Sequence, residues 1–190
     1  ILFLDEFPEF SRAALETLRQ PLEEREVTVS RVEASVTYPA NFQLVAAMNP
    51  CPCGHFPDRS RCRCTDGQIT RYLQKVSGPM LDRIDICVEA SPITYGDIRS
   101  SGNNESSREI RARVEQARKI QRERFAGENI RCNGEMSGRH IRKFCWLGRE
   151  EEKFMEEIFK KLALSARMHD RILKVARTTA DLAEEEKIRL

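Results

Sequence analysis

The chain of 190 residues holds 32 Lys and Arg against 30 Asp and Glu, a formal net charge of +2, with 40% hydrophobic and 33% charged residues. That length suits one compact domain or a domain with a smaller lid, and the near-neutral balance excludes nucleic-acid binding by global charge, leaving only local patches. No apolar run approaches the roughly 20 residues that span a bilayer, and the acidic Asp5 and Glu6 directly follow the apolar start, so no secretory signal is expected.

Ile1-Leu2-Phe3-Leu4 is a short apolar run ending in two acids, the pattern of a central parallel strand. A natural chain rarely begins in mid-core and without Met, so this opening predicts an excised fragment. Ser11 is the expected N-cap of a helix reaching about Glu24, with Leu15, Leu18 and Leu22 on one stripe. Val27–Arg31 and Ser35–Tyr38 alternate and are rich in β-branched residues, which predicts a β-hairpin with its tip at Val32-Glu33-Ala34. Phe42–Met48 reads as a second buried strand ending at Asn49-Pro50. A cysteine-rich loop follows, then a helix near Gln68–Val76 and a short strand at Ile84–Glu89.

Pro92 and the polar run Ser100–Ser107 mark a linker. Beyond it the pattern is helical: Arg108–Phe125, Gly138–Trp146, Glu150–Leu162 and Ala166–Leu182. An α/β layer followed by helices predicts two subdomains: residues 1–92, carrying the hairpin (25–38) and the cysteine loop (50–66), and residues 108–190, with 93–107 between them.

Leu2-Phe3-Leu4-Asp5-Glu6 is the strongest chemical signal. Apolar residues followed by Asp-Glu at a strand's end form the Walker B pattern, which sets carboxylates at the edge where α/β sheets bind ligands. Asp5 would hold Mg²⁺ on nucleotide phosphates, and Glu6 would activate the attacking water. The competing reading is a strand that ends in a solvated acidic turn. Asn49, at the end of the next apolar strand, suits a side chain that holds the lytic water; Asn-Pro is also a common turn starter. In Ser77–Asp85, Arg83 on a domain rim could reach a neighbour's phosphoryl group, an effect worth roughly 10³–10⁵ in rate. Alternatively it pairs with Asp82 or Asp85. Arg167 opens the last helix, where the macrodipole disfavours a cation unless an anion sits opposite. Arg171, Lys174 and Arg177 would extend basic faces along that helix, beside a core stripe of Leu173 and Ala176.

Four of the seven Cys fall between Cys51 and Cys64. Without a signal peptide, this favours a reducing, cytoplasmic compartment and a metal site over a disulfide framework. Cys51, Cys53, Cys62 and Cys64 form a Cys-x-Cys…Cys-x-Cys pair able to satisfy tetrahedral Zn²⁺, with His55 as a substitute ligand. Reduced free thiols and disulfides remain the alternatives. Cys87, Cys132 and Cys145 read as scattered packing residues. Arg59, Arg61 and Arg63 give the loop a basic face, for phosphates or for solubility alone.

Leu2–Glu6, Asn49-Pro50, Ser77–Asp85 and Ser165–Ala180 resemble, in order and spacing, the magnesium-chelatase-like AAA+ proteins. Asn49-Pro50-Cys51-Pro52-Cys53-Gly54 and Arg171–Thr178 resemble in particular the YifB/ComM branch, known from competence and DNA processing. The resemblance implies an α/β fold: the carboxyl-terminal half of an AAA+ P-loop core, with an incomplete parallel sheet and a hairpin insertion, followed by an all-helical lid. It implies ATP and Mg as cofactors, with Asp5 and Glu6 as Walker B, Asn49 as sensor 1, Arg83 as arginine finger and Arg167 as sensor 2. It likens the hairpin to one that lines the central pore of related motors, and it implies a hexameric-type ring with DNA as client.

The Gly-rich phosphate loop and the last lid helix of that family lie outside this sequence, so the chain alone is expected to bind ATP weakly or not at all, and its open sheet edge to be covered by another copy. A protein client, as in chelatase complexes, and a non-catalytic zinc-binding interaction module are the other readings. Few aromatics are placed to stack on bases.

Overall fold

The computed structural model describes residues 1–31, 34–91, 93, 95–99 and 105–189, with side chains for all but 97 and 98 of these. Val32 and Glu33 of the expected hairpin tip, and residues 92, 94 and 100–104 of the expected linker, lie outside the described residues. Two compact units divide the chain, Ile1–Cys87 and Val88–Leu190.

In the first unit, β1 (Leu2–Leu4) pairs in parallel with a strand formed more than 40 residues later, in the register Leu2↔Leu44, Phe3↔Val45 and Leu4↔Ala46. Between them come two short helices, α1 (Arg12–Thr17) and α2 (Arg19–Glu24), and a hairpin of β2 (Glu26–Ser30) and β3 (Ser35–Pro39). The strand that completes the parallel pair is β4 (Leu44–Ala46). Ser11 caps α1 by accepting the Ala14 N–H at 3.2 Å. The single helix expected over 11–24 breaks at Leu18 because Pro21 supplies no N–H and its ring opposes the carbonyl of Thr17. Leu4, Leu18, Leu22 and Leu44 then close over a core of Phe7, Leu15, Val76 and Met80. Alternation along the strands turns Phe3 and Val45 to the opposite, exposed face.

The hairpin is antiparallel and mostly exposed, with Thr28 opposite Thr37 and Ser30 opposite Ser35, each pair bridging hydroxyls at 3.0 Å. α3 (Asp66–Leu73) begins with a Thr65–Gln68 capping box, and α4 (Gly78–Leu81) is capped by Ser77. The strand expected at 84–89 is absent among the described residues. A strand is stable only with a paired neighbour, and Ile86 and Val88 stand exposed without a ladder partner.

The second unit is helical: α5 (Tyr95–Arg99), α6 (Ser107–Arg124), α7 (Gly138–Phe144), α8 (Arg149–Leu162) and α9 (Ala166–Leu182). A Ser106–Glu109 capping box starts α6, and Ser165 caps α9. Three acids open α8 and two lysines close it, each complementing the helix dipole. Phe125, Met136, Ile141, Cys145, Leu173, Ala180 and Ile188 form the core, with Phe125 and Phe144 edge to face at 5.4 Å. No helix among the described residues is long and apolar enough to cross a membrane.

Arg177, expected on a basic outer face of α9, is instead buried. Its Nε donates to Asp181 at 3.1 Å, and its two terminal nitrogens donate to the carbonyls of Glu185 and Glu186. The i, i+4 spacing of Arg177 and Asp181 places both on the face turned toward α6. There Arg124 donates to Asp181 as a fork, one arm at 2.7 Å, and Asn133 donates to the same carboxylate at 2.8 Å.

Candidate functional site

At the carboxyl end of β1 the main chain leaves the sheet abruptly. Glu6 adopts φ 50°, ψ 44°, a left-handed conformation that costs a non-glycine residue on the order of 1–2 kcal/mol. The turn is clamped on both sides. Asp5 Oδ1 accepts the Glu6 N–H at 2.8 Å, and Phe7, buried with Pro8, donates its N–H to the Ala47 carbonyl at 2.9 Å. Ala47 in turn donates to Leu4 at 2.9 Å. Asp5 and Glu6 are therefore exposed at the same sheet end from which Asn49 emerges, two residues beyond Ala47. Two carboxylates and a carboxamide thus stand at the carboxyl edge of the parallel strands, the edge at which α/β sheets bind ligands.

Arg83 follows α4 in the same unit, with its side chain only 9% exposed. One terminal nitrogen donates to Glu23 Oε1 at 2.6 Å, the other to the Pro79 carbonyl, and the buried Nε has no hydrogen-bond partner. The partner is thus neither Asp82 nor Asp85 but a residue 60 positions away, which no local spacing announces. Arg167 belongs to the second unit, exposed in the first turn of α9.

The cysteine loop gathers Cys51, Cys53, Cys62 and Cys64 with all four sulfurs within 4.8 Å of one another. Cys51–Cys53, Cys51–Cys62 and Cys53–Cys62 stand 3.4, 3.8 and 3.6 Å apart. Disulfide sulfurs lie ~2.05 Å apart, whereas the edge of a tetrahedron with Zn–S bonds of ~2.3 Å measures about 3.8 Å. All seven Cys are unbonded, and the spacings match the tetrahedron. His55 is not among the converging groups.

Main-chain amides point at the sulfurs. Phe56 N–H donates to Cys51 Sγ at 3.4 Å, and the amides of His55 and Arg63 bring Cys53 down to about 6. Burial pushes Cys64 up to about 12. A cation would remove that asymmetry by favouring the thiolate at every ligand. Arg59, paired with Asp66, lies close enough to Cys51 and Cys62 to feel their charge. The remaining Cys divide: Cys145 is buried in the helical core and pushed up to about 11 by that burial, while Cys87 and Cys132 are exposed.

Two residues near Asn49 are not singled out by sequence patterns. Gly54, at φ 78°, lies against the Asn49 side chain, and Tyr72 of α3 is buried with its hydroxyl close enough to the Asn49 main chain to interact with it. The sequence signal for Gly54 is its place at the end of the Asn49–Gly54 run, which says nothing of its contact with Asn49.

The sequence profile described as magnesium chelatase, subunit ChlI, matches residues 1–98, and that of the ChlI C-terminal region matches residues 104–190. Competence protein ComM of Haemophilus influenzae is 44% identical over 189 residues, covering 99% of this chain and 36% of that protein. The uncharacterized protein YifB of Salmonella typhimurium is 43% identical over 190 residues, again 99% and 36% of the two chains. The uncharacterized protein Rv2897c of Mycobacterium tuberculosis is 40% identical over 183 residues, 96% and 36%. The chain therefore spans about a third of the length of these relatives. With an α/β unit carrying a parallel strand pair, a helical unit after it, and both profiles matched in order, the chain belongs to the magnesium chelatase ChlI family.

Proposed function

We propose that this chain is part of an ATP-hydrolysing ring motor that works on DNA, related in role to the competence protein it resembles. The observation that supports it most is that Asp5 and Glu6 leave parallel β1 at the sheet end where the chain runs on from β4 to Asn49. Asp5 would hold Mg²⁺, which supplies charge neutralisation to the phosphates. Glu6 would take the proton of the attacking water, and Asn49 would hold that water in line. Arg83 and Arg167 would stabilise charge on the transferred group, Arg83 after leaving Glu23 for a neighbouring nucleotide. The hairpin, exposed on both strands, would line the ring's pore.

The test is ATP turnover by the full-length protein with and without single-stranded and branched DNA. Turnover that rises at least about threefold with DNA is expected. Turnover indifferent to DNA would move the client to a protein, and none at all would remove the ATPase reading.

The four thiolates would hold a structural zinc ion. Protein purified without chelator is expected to carry one zinc per chain, measured by atomic emission. Cys62→Ser with Cys64→Ser should reduce that to less than about 0.1, since two thiolates cannot complete a tetrahedral site. Full zinc content in the double variant would exclude this cluster as the site.

A further inference from the structure

Both ends of the cysteine loop run into Asn49. On the amino-terminal side, Cys51 lies two residues after Asn49, fully buried, and its carbonyl accepts the Gly54 N–H at 3.0 Å. That turn carries Gly54 at φ 78° onto the Asn49 carboxamide; a methyl group at Gly54 would stand 3.8 Å from Asn49 Oδ1. On the carboxyl-terminal side, Cys64 is followed at once by Thr65, whose hydroxyl accepts the Gln68 N–H at 3.3 Å and starts α3. Two turns later, α3 delivers Tyr72, buried and with its hydroxyl close enough to the Asn49 main chain to interact with it. Sequence and contacts thus form a closed circuit from Asn49 through Cys51, the sulfur cluster, Cys64 and α3 back to Asn49.

The circuit is weak at the cluster. The sulfurs of the two Cys-x-Cys arms meet at 3.6–3.8 Å, contacts that a bound cation would replace with four metal–ligand bonds. The other tie from the loop to α3, Arg59 with Asp66, is an exposed ion pair of little weight.

We infer that zinc in this cluster closes the circuit and thereby positions Asn49 for its work at the sheet edge, with Gly54 and Tyr72 as positioning residues. The ion is then a determinant of the hydrolytic geometry and not only a staple for a surface loop. This rests on the reading of the four Cys as a zinc site.

Amide hydrogen exchange on the full-length protein, before and after zinc removal under reducing conditions, tests it. Exchange at residues 47–56 and 66–73 is expected to quicken at least about tenfold, with residues 107–124 and 166–182 unchanged and protection restored by zinc. Unchanged exchange at 47–49 after complete zinc loss overturns the inference, as does an equal rise in all four segments. Protein that neither holds nor takes up zinc sinks the zinc reading itself.

Tyr72→Phe separates positioning from metal binding. It should keep one zinc per chain, quicken exchange at 47–49, and lower kcat for ATP about tenfold with KM within about twofold. Retained protection and kcat, or a loss confined to KM, would count against the role given to Tyr72.

Discussion

Glu6→Gln is expected to lower ATP turnover by the full-length protein about 10²–10⁴-fold, the usual worth of a positioned general base, while leaving nucleotide affinity within about threefold. The substitution isolates one chemical property. Glutamine keeps the length and shape of the side chain but cannot take a proton. The Glu6 N–H still donates to Asp5 and the Phe7 N–H to Ala47, so the turn that aims the side chain is kept. Position 6 is exposed, and the change should move stability by no more than about 0.5 kcal/mol. Turnover measured alongside equilibrium binding of a labelled nucleotide decides the matter. Undiminished turnover would remove Glu6 from the mechanism; loss of binding with turnover would assign it to nucleotide affinity.

Asp181→Ala is expected to destabilise the helical unit by about 3–5 kcal/mol, because Arg124 and Arg177 would be left buried without their carboxylate. The side chain of Asp181 is fully buried and serves three donors: the Arg124 fork, the Asn133 amide and Arg177 Nε. Asn133 itself is locked between Gln121, Thr178 and Arg124, so the loss spreads through α6, α9 and the turn between α6 and α7. Urea unfolding followed by fluorescence of Trp146, the only tryptophan of this chain, reports on that unit. A shift below about 1 kcal/mol would mean that water replaces the carboxylate.

Acid provides a second check. Burial alone would raise the Asp181 carboxyl, but the hydrogen bonds from Arg124 and Asn133 and the nearby guanidinium charges outweigh it and hold it below the usual carboxylate range. The unfolded state therefore binds this proton at higher pH than the folded state does. The stability due to Asp181 is present in full above an unfolded value of about 3.9 and is lost as pH falls through the depressed folded one. The gap between the parent protein and Asp181→Ala should accordingly narrow only below about pH 4.

Much of the architecture is legible residue by residue. α9 occupies the predicted Ala166–Leu182 because a serine cap, a Leu173–Ala176 stripe and no Gly or Pro all agree. β1 and β4 emerge from apolar runs whose ends carry Asp5, Glu6 and Asn49, which is why the candidate nucleotide residues can be named in advance. What stays hidden depends on distant partners. Arg177 looks like any exposed cation on a basic helix until Asp181 and the Glu185 and Glu186 carbonyls are seen around it. Arg83 cannot be matched to Glu23 from spacing, and the apolar alternation at 84–89 does not reveal that no strand lies beside it. The four Cys announce a cluster through their doubled spacing, but that Gly54 and Tyr72 back onto Asn49 depends on how the loop folds.

The left-handed turn at Glu6 also has a meaning for protein engineering. Glycine, or to a lesser degree asparagine, occupies that backbone conformation with less strain than glutamate. A redesign guided by folding stability alone would thus be drawn to replace the carboxylate proposed to take the proton. If Glu6 takes the proton as proposed, robustness and turnover pull on position 6 in opposite directions, and a stabilised variant of this protein would have to be improved elsewhere.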